Sequence, residues 1–151
     1  MDIDRFWQEF LGSTNRDPLL KYYDCFHFCH DEKLANELLE LVLSGKKTAT
    51  ASSFLSYAAE GEELPQVGNL SIVTDFSGNP YCVIETTAVT KMPFNEMTFD
   101  ICKREGEDET LESWQEGHRR YFKIDAEVGG YEFTEDMPII FEDFKVVYRK
   151  G

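Results

Sequence analysis

Apolar side chains recur at helical spacing over residues 2–11, where Ile3, Phe6, Trp7, Phe10 and Leu11 share one face and Gly12 offers a stop. A second short helix is predicted over residues 19–27. A third is signalled by Asp31 as a cap, Leu34, Leu38, Leu41 and Val42 on one face, and Ser44-Gly45 as its end. After Gly45 the pattern changes. Residues 46–53 are rich in small and β-branched side chains and predict a strand or an extended lead-in to one. Residues 60–68 read as a solvated loop closing on a turn at Val67-Gly68-Asn69. Alternation over 70–76, a turn at Ser77-Gly78-Asn79-Pro80 and alternation back over 81–89 predict a hairpin. Residues 95–104 look helical, with Met97, Ile101 and Cys102 as core contacts. Thr110 then caps a helix carrying Leu111, Trp114, His118, Tyr121 and Phe122 on one face, and Gly129-Gly130 breaks the chain. Residues 137–141 and 144–148 read as closing strands. This order argues for an α+β fold with an antiparallel sheet or small barrel, not alternating βαβ units.

Composition narrows the class. A chain of 151 residues is one ordinary domain able to bury a core. Fifteen Lys+Arg against 29 Asp+Glu give a net charge of -14, which opposes binding to a long phosphate backbone, so duplex DNA is not expected as a partner. No apolar run approaches the ~20 residues of a membrane span, and residues 1–6 carry no signal-peptide pattern. The expectation is a cytoplasmic protein with no membrane partner and reduced thiols at Cys25, Cys29, Cys82 and Cys102. The run Cys25-Phe26-His27-Phe28-Cys29-His30 offers zinc-ligand chemistry. No second Cys/His pair follows at finger spacing, so no metal or other cofactor is assigned.

Three segments could carry chemistry. Gly45-Lys46-Lys47-Thr48-Ala49-Thr50-Ala51-Ser52 is not a phosphate-binding loop, because position 40 is Glu where that motif needs Gly. In an extended segment Thr48, Thr50 and Ser52 line one side. A Lys beside hydroxyls activates one as a nucleophile only when it is neutral part of the time. Bringing it from about 10.4 to about 7 takes about 4–5 kcal/mol from burial or a nearby cation, which Lys46 could supply. The same segment also fits a solvated strand edge. In the acidic run 105–109, Gly106 permits a bend that turns one carboxylate inward, although spacing alone favours a solvated loop at a helix N-terminus. Trp114 and His118, one turn apart, fit a packed core more readily than a stacking platform or a catalytic pair.

Taken together, Gly45-Lys46-Lys47-Thr48-Ala49-Thr50-Ala51-Ser52, Pro65-Gln66-Val67-Gly68, Asp75-x-x-Gly78-x-Pro80 and Glu105-Gly106-Glu107-Asp108 with Trp114-x-x-x-His118 and Tyr121-Phe122 resemble the ASCH domain. The resemblance spans about residues 30–149, preceded by an N-terminal helical extension over 1–29 like that of the larger bacterial branch. It implies a PUA-like small, mostly antiparallel β-barrel with surrounding helices and a cleft lined by both the Gly-x-Lys and the acidic segments. Some small bacterial members are amidohydrolases that deacetylate N4-acetylcytidine, and their catalytic Lys, Thr and Glu match Lys47, Thr50 and Glu107. Another has been described as a metal-dependent ribonuclease, and many are presumed to bind RNA. One departure matters: the short amidohydrolases carry Arg two positions after the Thr, where this chain has Ser52, followed by Ser53.

The expectation is therefore a hydrolase acting on a modified pyrimidine nucleoside or nucleotide. Thr50 attacks, Lys47 serves as base and Glu107 relays the proton, with Lys46, Ser52, Ser53, Trp114 and His118 binding substrate. The rivals are a module that binds short single-stranded RNA or a nucleotide through Lys46, Lys47, Arg119 and Arg120, and a metal-dependent ribonuclease.

Overall fold

The computed structural model describes residues 1–150. Helix α1 (Ile3–Ser13) starts where the Asp2 carboxylate accepts the Asp4 amide, and it buries Phe6, Trp7, Phe10 and Leu11. Helix α2 (Glu32–Leu43) is capped by Asp31, whose carboxylate accepts the Leu34 amide at 2.8 Å. Its buried face is Ala35, Leu38, Leu39 and Val42, so Leu34, expected in the core, is exposed.

Residues 19–27 do not form the expected helix. Asp24–Phe26 is instead strand β1, lying parallel to the later Leu70–Thr74 strand. The β-sheet ladder satisfies its backbone groups, and this long-range pairing leaves no mark on local apolar spacing. The remaining strands are β2 (Ala49–Ser53), β3 (Leu70–Thr74), β4 (Pro80–Pro93) and β5 (Pro138–Arg149). Helix α3 (Phe54–Glu60) follows β2 directly, with the Ser53 hydroxyl accepting the Leu55 amide. The two expected closing strands are one, because β5 runs unbroken through Glu142-Asp143. Thr86 faces Phe144 and Ala88 faces Asp143, so Thr87 is an extra residue in β4 that absorbs the bend as a bulge.

The sheet order is β1-β3-β4-β5-β2, with only the β1–β3 pair parallel. The fold is α+β, and the sheet is a curled, PUA-like half-barrel whose edge strands β1 and β2 do not pair with each other. Helix α1 covers Leu70, Ile72 and Val83 on one side of the sheet. Side chains of opposite parity, Val73, Cys82 and Ile84, meet α2 on the other. Each fully buried Phe or Leu in these layers contributes about 1.5–3 kcal/mol of transfer free energy. Short helices at Phe99–Cys102 (α4) and in the 3₁₀ turn Lys103–Glu105 lead to α5 (Leu111–Gly129), whose Trp114 and Phe122 pack with Ala49, Ala51 and Phe141. No helix is long and apolar enough to cross a membrane.

Candidate active site

Backbone contacts join the two distant segments. The Thr48 amide donates to the Arg104 carbonyl at 2.9 Å, and the Thr48 hydroxyl donates to the same oxygen. Gly106 sits in the left-handed region at φ +71°, and a Cβ there would lie 2.3 Å from the Lys46 carbonyl oxygen. Only glycine allows that approach. With residues 46–48 laid against 104–106, Lys47 turns inward at 1% exposure and meets the acidic run, sixty residues away.

The Lys47 ammonium donates to the Ala49 carbonyl at 2.8 Å, to Glu105 Oε1 at 3.3 Å and to Glu107 Oε2 at 2.5 Å. Glu105, also 1% exposed, takes a further hydrogen bond on Oε2 from the Trp114 indole. His118 stacks on Trp114 with ring centroids 4.1 Å apart. Its Nδ1 lies 2.9 Å from the Trp114 carbonyl, which can only accept, and its Nε2 faces Glu105 at 3.3 Å. Both ring nitrogens therefore donate, which describes an imidazolium.

The electrostatics follow from burial and pairing. Desolvation would push Lys47 down, but Glu105 and Glu107 outweigh it and hold the ammonium above its ordinary value. Desolvation likewise opposes charge on His118, and Glu105 overcomes it and raises the imidazole. Against the same burial, His118 and Lys47 keep Glu105 well below the usual carboxylate range. Glu107 goes the other way: burial raises it, opposed by Lys47 and reinforced by Glu105. Lys47 thus rests protonated, and the expected depression by Lys46 does not occur, since Lys46 is exposed and absent from the cavity lining.

These groups form one wall of a cavity of about 460 Å³ between α2, α5 and the concave side of the sheet. Thr50 and Ser52, alternate residues of β2, line it as well with Ala51 between them, while Ala49 and Ser53 are buried outside the lining. A cavity of this size, with a few converging polar groups, is what a small ligand needs.

The family model of the ASCH domain matches residues 24–148. The chain belongs to the ASCH domain family. The crystal structure of an ASCH domain from Lactobacillus crispatus JV V101 is 38% identical, with 99% of this chain and 97% of that one covered at a TM-score of 0.87. Protein EF3133 from Enterococcus faecalis V583 is 36% identical over 96% of this chain and 87% of that one, at a TM-score of 0.88. The ASCH protein of Zymomonas mobilis shares the fold at 14% identity, over 77% of this chain and 68% of that one, at a TM-score of 0.51. No curated protein matches the sequence significantly.

In this ASCH domain the residues singled out from sequence divide sharply. Lys47, Thr50, Ser52, Glu107 and His118 all line the cavity. Ser53 is buried and caps α3, so it does not reach the cavity. Trp114, 0% exposed, is packed against Phe94 and His118 and offers no face for a base to stack on; it holds Glu105 instead. Glu105 is the inward-turned carboxylate that the bend at Gly106 made conceivable, and local spacing could not distinguish it from Glu107. Asp24 and Glu142 also line the cavity, Glu142 directly across the β2–β5 ladder from Thr50. Burial raises both carboxyls above their ordinary values. Neither was visible in the sequence, because nothing local marks which acid of a strand faces inward.

Glu105, Glu107 and His118 present ligand atoms within 4.8 Å of one another. They do not fit a divalent metal as they stand. The Lys47 ammonium already engages Glu105 Oε1 and Glu107 Oε2, the Trp114 indole engages Glu105 Oε2, and both His118 nitrogens face acceptors. Cys25, Cys29, His27 and His30 do not gather into a comparable set among the described residues.

Proposed function

We propose that the cavity hydrolyses the amide of an N4-acylated pyrimidine nucleoside or nucleotide. The observation that carries this reading is the 2.5 Å contact between Lys47 and Glu107 inside a cavity that Thr50 also lines. The Lys47 nitrogen lies against the Ala49 carbonyl, one peptide unit from Thr50.

Lys47 rests as a cation and must lose a proton before it can act as a base. Glu107 is the acceptor at hand, and its burial favours the protonated form. A neutral amine facing a neutral acid avoids much of the desolvation cost of a buried ion pair. Thr50 Oγ1 then attacks the acyl carbon and gives its proton to the Lys47 amine. As the C–N bond breaks, Glu107 delivers its proton to the leaving exocyclic amine. Water attacks the Thr50 ester through the same pair, releasing the acyl group as a carboxylic acid and restoring the Thr50 hydroxyl. Glu105, fixed by Trp114 and His118, positions Lys47.

RNA binding is the function associated with PUA-like folds. The four cations that would carry it are poorly placed here. Lys47 is neutralised, Arg119 is engaged by Glu135 at 2.7 and 2.9 Å, and only Lys46 and the exposed Arg120 remain.

The test is incubation of the pure protein with N4-acetylcytidine and, separately, with short single-stranded RNA with and without Mg²⁺. Acetate release that falls by about 10³-fold or more in Thr50→Ala and Glu107→Gln is the expected result, in line with loss of a nucleophile or a proton carrier. RNA binding without turnover, or Mg²⁺-dependent cleavage, would overturn it.

A further inference from the structure

The floor of the cavity carries polar side chains from four of the five strands. Asp24 on β1 is in register with Ser71 on β3, and Glu142 on β5 is in register with Thr50 on β2. Asp24, Ser71, Glu142, Thr50 and Ser52 all line the cavity. From β4, the Thr86 hydroxyl donates to Glu142 at 2.6 Å, and the Ser52 and Tyr57 hydroxyls pair at 2.7 Å. A sheet face meant only for packing would be apolar here, as it is at Val73, Cys82 and Ile84 beside it.

The charge of this lining is one-sided. Six carboxylate residues face three cations, Lys47, Arg120 and the His118 imidazolium, and Lys47 and His118 are already engaged by Glu105 and Glu107. Glu142 accepts from Thr86 and Asp24 from the Cys25 amide, and neither has a cationic partner among the described residues. Each carboxylate keeps lone pairs free for further donors. Vicinal hydroxyls supply such donors; a phosphate supplies only negative charge.

We infer that Asp24 and Glu142 determine specificity, accepting the sugar hydroxyls of an uncharged nucleoside and rejecting its phosphorylated forms. This rests on the proposed pyrimidine-nucleoside reading and decides which of its two substrate classes is used. The acylated base then lies toward Lys47 and Glu107, with the sugar over β1 and β5.

Calorimetric titration of the full chain with cytidine and with cytidine 5′-monophosphate tests it directly. The nucleoside is expected to bind more tightly by roughly tenfold or more, a factor that about 1.4 kcal/mol of like-charge repulsion supplies. Glu142→Gln and Asp24→Asn, both near-isosteric, are each expected to weaken cytidine binding and narrow that ratio, with melting temperatures confirming the fold. In turnover of N4-acetylcytidine the same variants raise KM more than they lower kcat. Equal or tighter binding of the monophosphate, an unchanged ratio in both variants, or no binding of cytidine would overturn the inference. Selective cytidine binding without acetate release would instead sink the hydrolase reading and leave this one standing. Equal turnover of nucleoside and monophosphate would do the reverse.

Discussion

Lys47 is the residue on which the site turns. Three acceptors surround its ammonium, and two of them are carboxylates. Nearby, His118 supplies the second cation that balances Glu105. The sign of its contribution is fixed by the direction of its shift. Because Glu105 raises the imidazole above its ordinary value of 6.5, the stabilisation is fully present below that pH and fades as pH rises through the folded value. Lys47 and Glu107 also face this group, and Lys47 stays protonated across the window. Urea unfolding measured from pH 6 upward should therefore show stability declining in the wild type and a flatter profile in His118→Gln. A profile unchanged by that substitution would mean that His118 carries no charge. At this scale the sequence was half legible. Lys47, Thr50 and Glu107 stood out through the family resemblance. Glu105 and Trp114 did not, since a carboxylate's direction in an acidic run depends on a backbone bend, and a Trp at helical spacing reads as core more readily than as platform.

Elements matter through how they are pinned together. The approach of residues 46–48 to 104–106 requires Gly106, whose added Cβ would collide with backbone and not with a yielding side-chain tip. Gly61 is a useful contrast, because it has a similar φ of +66° but open space where a Cβ would go. Gly61→Ala should cost only about 1–2 kcal/mol for the left-handed backbone. Gly106→Ala should add about 1–3 kcal/mol of overpacking and displace Glu107 from Lys47. Thermal unfolding compares the two, and equal losses would show that the close approach is not needed. Helices α1, α2 and α5 were legible from amphipathic spacing and caps. Strand β1 was not, because three residues that pair in parallel with a strand some fifty positions later carry no local period. Helix α3 was likewise hidden within a stretch lacking buried apolar residues.

For the molecule as a whole, the net charge of -14 and the acid-rich cavity point the same way. Both favour a small uncharged ligand over a polyanion. The curled sheet supplies the concave floor, α2 and α5 supply the walls, and Lys47, Glu107 and Thr50 all line the space between them. In the proposed hydrolysis an acyl group passes through Thr50 in that space. Rapid acid quenching during turnover of N4-acetylcytidine, followed by peptide mass analysis, reads this directly. An acetyl group is expected on the peptide spanning residues 47–53, located at Thr50 and missing from Thr50→Ala. Acetate release with that peptide unmodified, and with Thr50→Ala as active as the wild type, would contradict it.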